Sequence, residues 1–331
     1  MCLEYEFNKS NSTVAIDFQP ISTSDSTELI RIDWGDGQQS TYKKNDCDKT
    51  TYPGYSGGSG FYRVEHTYNP FCNGTYYIFI DYVYSHPNKL TTISVGRDSN
   101  IKRIDILNCT YESTYHDYTV PSPKYAFLFQ DIRFLKEINF VGTVIPGGSG
   151  GGMIIKNNMR LEIIRFKAIK KYFNNGNGEI VEGSPRLSSF DFQRNSALSK
   201  IDFGENEIRE LGENMFSYCY KLKEICGLSG ITKIGKETFM YCGNLSLPSN
   251  FWGDITCLPT SSFYGCGITS IDIPATVTSI EGSAFAGSKL KTINYGGTKQ
   301  DFLKIKLADN SFYNTPELEQ VICTDGSIQM K

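Results

Sequence analysis

The sequence predicts a mainly β protein in which a small N-terminal β-sandwich is followed by a solenoid of stacked repeats with short helical turns. Aromatic residues recur at a nearly constant interval in the C-terminal half, and apolar stretches flank Asp-Gly and Asn-Gly pairs near the N-terminus. The 331 residues include 21 tyrosines, 21 phenylalanines and 31 glycines. So many aromatic and turn-forming residues favour short strands and loops over long helices.

One phenylalanine marks each unit of the C-terminal repeat. These residues are separated by 23, 24, 22 and 27 positions: Phe216, Phe239, Phe263, Phe285 and Phe312. Fixed periods in the twenties indicate a solenoid, because each unit buries its apolar face only against its neighbours. We expect the phenylalanines to fill the centre of the fold. The burial of each side chain contributes about 1.5–3 kcal/mol, so the repeats are expected to be stable without metal or disulfide.

Short alternating stretches supply the strands of this solenoid. Ile271 and Ile273 alternate with polar residues, and Ile293 has the equivalent place one unit later. These side chains are therefore expected on the inner face of a parallel ladder. Similar triplets continue upstream, so the predicted solenoid covers residues 88–331, with irregular turns over 88–196 and regular repeats of 22–24 residues over 197–323.

A small side chain follows each phenylalanine at the third position: Cys219, Cys242, Cys266, Ser288 and Thr315. A free cysteine behaves as a small apolar residue, so we expect the three thiols to be inert core residues. The C-terminal cysteines show no paired C-x-x-C or Cys/His spacing for zinc. Disulfides between adjacent turns stay an alternative, although the missing secretion signal favours reduced thiols.

Three segments of the repeat resemble the BspA-type, or Treponema pallidum-type, leucine-rich repeats. They are "ENMFSYCYKLKEI" (213–225), "ITKIGKETFMYCGNL" (231–245) and the stretch from "IDIPATVTSI" to "DFLKI" (271–305). The resemblance is specific over residues 197–323. It implies a role in adhesion and in recognition of other cells or matrix, and not in catalysis.

Residues 1–87 do not follow this period and are predicted to form a small all-β domain, with strand pairs around Asp36-Gly37 and Asn73-Gly74. The order W-G-D-G, H-T-Y and G-T-Y resembles a polycystic-kidney-disease-type (PKD) immunoglobulin-like domain. A polar insert over 43–60 departs from that pattern. The matching residues are Trp34, Asp36, Gly37, His66, Tyr68, Gly74 and Tyr76.

The sequence offers few of the residues that catalysis requires. Its three histidines are His66, His86 and His116, and none stands in a recognisable catalytic motif. We expect His66 to be hydrogen-bonded within the sandwich. Asp33 and Asp36 are expected to form a turn and not a calcium site. Two carboxylates fall short of the about six to eight oxygens that calcium takes. No enzyme, metal or cofactor is expected.

Charge and hydropathy limit the choice of partner. The formal net charge is −3, so no overall field favours nucleic acid. The apolar runs are far shorter than the ~20 residues that span a bilayer, so membrane insertion is not expected.

Tyrosines among glycine, serine and asparagine mark the candidate binding loops. Tyrosine supplies rigid amphipathic area while the small residues adapt, which favours recognition of protein or glycan. Flexible solubilising insertions are the alternative interpretation. The tyrosines concerned are Tyr52, Tyr55, Tyr62, Tyr115, Tyr118 and Tyr172.

These features predict a non-enzymatic recognition or structural protein that binds protein or glycan through its loops and the solenoid face. The first residues lack a basic and an apolar signal region, so Sec export is not expected. This favours an accessory protein on a phage virion (fibre, decoration or host attachment), with a cell-surface ligand or other virion proteins as partners. A bacterial cell-surface adhesin is the alternative, and an accessory module of a carbohydrate-active enzyme is the third. Homo-oligomerisation is left open.

Overall fold

The computed structural model divides the chain into two units, Met1–Pro185 and Arg186–Lys331. The predicted boundary at residues 87/88 falls outside the described residues, so the division into 1–87 and 88–331 stays a prediction. The structure describes residues 1–6, 12–19, 28–43, 46–50, 61–69, 74–82, 92–95, 100–107, 125–141, 152–167, 172–174, 180–182, 190–205 and 208–330.

The described residues of the first unit form fifteen strands. They are β1 (Cys2–Glu6), β2 (Thr13–Gln19), β3 (Glu28–Asp33), β4 (Gln39–Lys43), β5 (Asp48–Thr50), β6 (Phe61–Thr67), β7 (Thr75–Tyr82), β8 (Thr92–Val95), β9 (Ile101–Leu107), β10 (Tyr125–Gln130), β11 (Glu137–Val141), β12 (Gly152–Lys156), β13 (Ile163–Lys167), β14 (Tyr172–Asn174) and β15 (Ile180–Glu182).

Two main sheets organise this unit. Within it, neighbouring strands follow the order β13-β11-β9-β1-β7-β3-β4 in one sheet and β12-β10-β8-β2-β6-β5 in the other. The later strands of each sheet pair parallel. They meet the N-terminal strands where β1 pairs with β9 and β2 with β8, both antiparallel. The first parallel strands therefore have a partner on each side, which leaves no open edge there.

Residues of the W-G-D-G and H-T-Y motifs form one packed cluster in the first unit. The hydroxyl of Tyr68 donates to the carbonyl oxygen of Trp34 at 2.7 Å, and both side chains are buried. The ring of Trp34 stacks on His66 with 4.7 Å between centroids, while His66 Nε2 lies 2.8 Å from Asp36 Oδ2. Tyr76 stacks on Tyr68 at 4.4 Å. His66 is therefore hydrogen-bonded within a buried aromatic cluster.

The Asp-Gly turn uses its carboxylates internally. Asp33 Oδ1 accepts from the backbone N–H of Gly35 at 2.9 Å, and this bond lowers the pKa of Asp33. Asp36 Oδ1 accepts from the backbone N–H of Gln38 at 3.0 Å. These carboxylates therefore stabilise the turn. All three motif glycines have left-handed φ values, Gly35 at 79°, Gly37 at 89° and Gly74 at 148°.

The second unit contains short strands and one short helix. They are β16 (Phe190–Asp191), β17 (Lys200–Asp202), β18 (Ile208–Glu210), β19 (Glu224–Cys226), β20 (Leu228–Lys233), β21 (Cys257–Leu258), β22 (Ser270–Ile273), β23 (Ser279–Ile280), β24 (Thr292–Tyr295), α1 (Lys299–Phe302), β25 (Lys306–Leu307), β26 (Gln320–Cys323) and β27 (Gly326–Gln329).

Parallel pairing dominates this unit. β17 pairs with β19, and β22, β24 and β26 follow one another, with β27 added as an antiparallel hairpin. β21, β23 and β25 form a second parallel ladder, and β18 pairs with β20. The protein is therefore mainly β, since α1 is the one α-helix in the described ranges. Most of the predicted helical turns are single hydrogen-bonded turns that are too short to be helices.

In the segment 296–312, the spacing of Phe302, Ile305 and Leu307 predicts a short amphipathic helix with these side chains inward. It contains the four-residue α1, and Phe302 and Ile305 are buried. Leu307, however, lies in β25 and is 43% exposed, so its predicted inward position is wrong. The physical reason is that β25 is the edge strand of its three-stranded ladder, where both of its side chains face solvent.

A column of phenylalanine rings fills the core of the second unit. Successive rings stack with centroids 5.3–5.7 Å apart and interplanar angles of 21° or less. Such pairs add about 0.5–1.5 kcal/mol beyond their burial. The column begins one turn earlier than the predicted period and includes Phe192, Phe216, Phe239, Phe263, Phe285 and Phe312. Phe312, at the end of the column, is half-buried, so its predicted place in the core is met only in part.

Candidate functional site

A groove opens in the second unit where the strand ladder is interrupted. After β19 the ladder continues only as a single bridge from Glu224 to Ser246, and β22 begins a separate sheet. The intervening turn, "NLSLPSN" (244–250), buries Leu245 but forms no strand. Pro248 lacks a backbone N–H and cannot donate to a ladder, so the interruption follows from this residue.

We name this depression the Pro248 groove. It has two lobes of about 630 and 440 Å³ that share Ser246, Leu247 and Pro248. These volumes lie within the range of about 300–1,000 Å³ that ligand sites occupy. The groove is lined by Gly204, Glu205, 223–229, 244–248, Asn250, Trp252, Gly267 and 269–272.

The first lobe is lined by the Glu224 carboxylate and the Cys226 thiol, and Lys200 pairs with Glu224 from outside the lining. Lys200 Nζ donates to Glu224 Oε1 at 2.8 Å, and the Cys226 thiol donates to the same oxygen at 2.9 Å. The hydrogen bonds from Cys226 and Lys200 lower the pKa of Glu224. Burial, followed by the bond to Glu224, raises the pKa of Cys226. The thiol is therefore held protonated and is not an activated nucleophile.

The second lobe combines polar side chains with one anchored indole. Asn294 Nδ2 donates to Asp272 Oδ1 at 2.8 Å and reaches Ser270 Oγ at 3.3 Å. Trp252 is half-buried, and its ring packs against Phe251 and Phe263 at 4.6 and 6.3 Å. A fixed aromatic ring beside hydroxyl, amide and carboxylate groups suits a ligand that is both flat and rich in hydrogen-bonding groups.

The predicted small-residue slot lies beside the phenylalanine column. Cys219, Cys242 and Cys266 are fully buried, and each thiol donates to a carbonyl oxygen of the preceding turn at 3.1–3.3 Å. Burial raises the pKa of Cys219 and Cys266 to about 12 and that of Cys242 well above its usual value. The eight described cysteines are all free thiols.

The inner-face residues lie as their alternation predicts. Ile271, Ile273 and Ile293 are at most 4% exposed. Within the described residues, no three histidine, cysteine or acidic side chains stand close enough together to hold a metal ion. In the same ranges, no helix has the length and apolar character needed to cross a membrane.

The candidate tyrosine loops fall mostly outside the described residues, namely Tyr52, Tyr55, Tyr115 and Tyr118. Tyr172 lies in strand β14, opposite Glu182 of β15. Tyr62 is not a loop residue, so its assignment to a binding loop is corrected. It lies in β6, is 8% exposed, and stacks on Phe18 at 6.3 Å because it alternates with solvent-facing residues on a paired strand.

Sequence reasoning missed the Pro248 groove. The available signal was the proline at the place where neighbouring units have an alternating apolar strand, as in "SIDI" (270–273). Proline within a strand pattern indicates an edge or an interruption. The lining, however, comes from four successive turns, and their approach is visible only in the folded chain.

Stacked short parallel strands, a phenylalanine column and a period in the twenties define a leucine-rich repeat protein. The family model "BspA type Leucine rich repeat region" matches residues 154–251 and 256–330 in six copies, which is just over half of the chain. The chain therefore belongs to the BspA-type leucine-rich repeat family. No curated protein sequence matches it.

Three solved structures show a weaker similarity. A leucine-rich cell surface protein from Faecalibacterium prausnitzii A2-165 is 14% identical, with TM-score 0.23, over 70% of this chain and 84% of that one. A leucine-rich repeat protein from Bacteroides ovatus ATCC 8483 is 20% identical, with TM-score 0.28, over 74% and 69%. The pneumococcal vaccine antigen PcpA is 13% identical, with TM-score 0.23, over 72% and 66%. These values carry no conclusion about this chain.

Proposed function

We propose that this chain is a non-enzymatic recognition protein that binds a protein or glycan on a cell surface. The observation that carries the proposal is the Pro248 groove, a break in a regular ladder that offers two lobes and an anchored indole. Membership of the BspA-type family supports this proposal, because that family implies a role in adhesion and recognition. Among the described residues that line the groove, Cys226 supplies the one thiol, and this thiol is held protonated, which favours binding over covalent chemistry.

We also propose that the repeats continue as one solenoid and that the N-terminal strands form a PKD-like sandwich. The parallel registers and the phenylalanine column support the solenoid. The buried cluster around Trp34 and Tyr68 supports the sandwich. A crystal structure with repeats that do not stack in one direction, or with a single N-terminal sheet, would contradict this architecture.

We place the protein at a bacterial cell surface in preference to a phage virion. Family membership supports the surface, and no comparison supports the virion. Antibody labelling of intact host cells and of purified virions separates the two. Labelling of virions alone would overturn this placement.

A block of the groove tests the binding proposal. Ser246→Trp adds a large side chain at an exposed residue shared by both lobes, without removing a core contact. We expect binding of the full-length protein to arrayed cell-surface proteins and glycans to weaken by about tenfold or more, which is about 1.4 kcal/mol. The matched control is Ser327→Trp, at an exposed serine of β27 outside the groove.

Two results would overturn the proposal. The first is equal binding by the wild type and the Ser246→Trp variant. The second is turnover of any arrayed glycan that disappears in a variant of one acidic residue, since this would identify an enzyme.

A further inference from the structure

Most turns of the second unit have two left-handed backbone positions, one before and one after the column phenylalanine, and the second of these recurs in every turn of the column. This second position lies two residues after the column phenylalanine, with φ values between 53° and 66°. Glycine and asparagine adopt this conformation most readily, whereas a bulky side chain there is unusual. The later turns follow that preference and the three earlier turns do not: Arg194, Tyr218, Tyr241, Gly265, Gly287 and Asn314.

The three bulky residues at this position contact one another in sequence. The guanidinium carbon of Arg194 lies 5.3 Å from the centroid of the Tyr218 ring. The rings of Tyr218 and Tyr241 lie 5.2 Å apart. Tyr220 and Tyr264 extend the group, at 6.1 Å from Tyr218 and 5.4 Å from Tyr241 respectively. We name these five residues the Tyr218 patch.

The core does not require these side chains. The Phe263–Phe285 and Phe285–Phe312 rings stack at 5.4 and 5.5 Å although their turns have glycine or asparagine at the left-handed position. The spacing is the same, 5.5 Å, between Phe216 and Phe239, whose turns carry tyrosine. The tyrosines therefore add an outward feature to a turn that forms without them.

The patch is accessible and held in place. Tyr220 is 51% exposed, and Tyr218, Tyr241 and Tyr264 are half-buried. The Tyr241 ring lies directly over Gly265, where a Cβ would stand 2.6 Å from Tyr241 Cδ1. Rings that are already ordered lose little freedom when a ligand binds.

Arg194 gives the patch its charge. Among the described residues, no carboxylate lies within ion-pair distance of its guanidinium, which faces the Tyr218 ring. A guanidinium has five N–H donors and pairs with carboxylates in a bidentate manner. The tyrosines supply apolar ring faces together with phenolic hydroxyls. A pyranose presents the complementary pair of features, a C–H face and a rim of hydroxyls.

We propose that the Tyr218 patch binds an acidic glycan, with sugar rings against the tyrosines and a sugar carboxylate paired with Arg194. This site is separate from the Pro248 groove, because none of its five residues lines that groove. It therefore stands or falls independently of the proposed function.

The test uses substitutions that suit the left-handed backbone. Tyr218→Asn and Tyr241→Asn remove the rings but install a residue that this conformation favours. Calorimetry of the full-length protein would use two acidic probes with neutral partners: oligogalacturonate against its methyl ester, and sialyllactose against lactose. We expect at least one acidic probe to bind, its neutral partner to bind about tenfold more weakly, and each Asn variant to lose about tenfold in affinity.

Stability separates a binding role from a structural one. The Tm of each Asn variant should equal or exceed that of the wild type, because asparagine adopts the left-handed backbone conformation with less strain than tyrosine does. Arg194→Asn should abolish the preference for the acidic probe over its neutral partner. The matched control is Tyr313→Asn, at a tyrosine that is 73% exposed and lies outside the patch; it should bind as the wild type does.

Four results would overturn the proposal. The first two are no binding of either acidic probe and equal binding of the acidic and neutral partners. The third is unchanged binding of the acidic probe in both Tyr218→Asn and Tyr241→Asn. The fourth is a lowered Tm in these two variants, with a loss of binding that grows with the loss of Tm. Ser246→Trp provides the remaining comparison. This variant should keep the wild-type affinity for the acidic probe. If the affinity were lost, the glycan would bind in the Pro248 groove instead.

Discussion

Phe263 shows how a single residue of the repeat stabilises the protein. Its ring is fully buried between Phe239 and Phe285, with centroids 5.3 and 5.4 Å away. The period alone predicted a central position for this side chain, because an apolar residue at a fixed interval is buried at the same place in every unit. The face-to-face stacking of the rings was not predicted, since it depends on how closely the turns approach.

Phe263→Ala should lower the free energy of unfolding by about 3–5 kcal/mol, because it removes a large buried side chain and leaves a cavity. Urea unfolding followed by circular dichroism measures this change. Tyr313→Ala is the control, since that ring is 73% exposed, and its effect should stay within about 0.5 kcal/mol. Similar losses in both variants would show that Phe263 is not a core residue.

The buried thiols make stability depend on pH in the alkaline range. The pKa of Cys219 and Cys266 is about 12 in the folded protein, against an ordinary value of 9.0. A raised folded pKa gives stability that is complete below the unfolded value and is lost as the pH rises toward the folded value. The relevant window therefore runs from about pH 9 to about pH 12.

We expect the free energy of unfolding to fall over this window, and to fall less steeply in a Cys219→Ala/Cys266→Ala variant, because two of the titrating groups are gone. Urea unfolding at about pH 8 and about pH 10 measures the difference in slope. The same pH dependence in variant and wild type would contradict the assignment of these thiols to the core.

At the scale of elements, close backbone approaches at glycines limit the distance between successive turns, and Gly267 is one example. A Cβ on Gly267 would stand 1.6 Å from the carbonyl oxygen of Gly243, one turn earlier. Both contacting groups belong to the backbone, so neither can move aside alone. Gly267 and Gly243 each directly follow a repeat cysteine in the sequence, but their close approach depends on how the two turns pack.

Gly267→Ala should destabilise the protein by about 1–3 kcal/mol or more, because the two turns must separate to accept the methyl group. Gly282→Ala is the matched control, since its nearest contact is the hydrogen-bonded side-chain oxygen of Asn310 at 3.1 Å, which must shift by only a few tenths of an ångström. Thermal unfolding of the two variants measures the contrast. A larger loss in Gly282→Ala would contradict this account of turn spacing.

Strand interruption is the second feature at this scale. Pro248 was visible in the sequence, and it ends the ladder because it has no N–H to donate. The groove that results was not visible, because β19, the 244–250 turn and β22 are far apart along the chain. The same holds for the Tyr218 patch, whose residues come from four turns.

At the scale of the whole molecule, the repeats depend on one another. A unit of this family cannot bury its apolar face alone, so its stability comes from nearest neighbours. Phe263→Ala should therefore raise amide hydrogen exchange most in its own turn and in the turns of Phe239 and Phe285. Mass spectrometry of exchanged peptides measures this gradient. A uniform rise across the chain would show that the repeats unfold as a single unit.

The sequence by itself determined the family, the mainly β character and the inward positions of the repeat cysteines, of the isoleucines and of every repeat phenylalanine except the half-buried Phe312. These follow from periodicity, because burial repeats whenever the same side chain returns at the same interval. Only the tertiary structure decided the groove, the tyrosine patch and the burial of Tyr62. Each depends on which turns become neighbours and how closely they pack, and those distances are properties of the folded chain rather than of any local stretch.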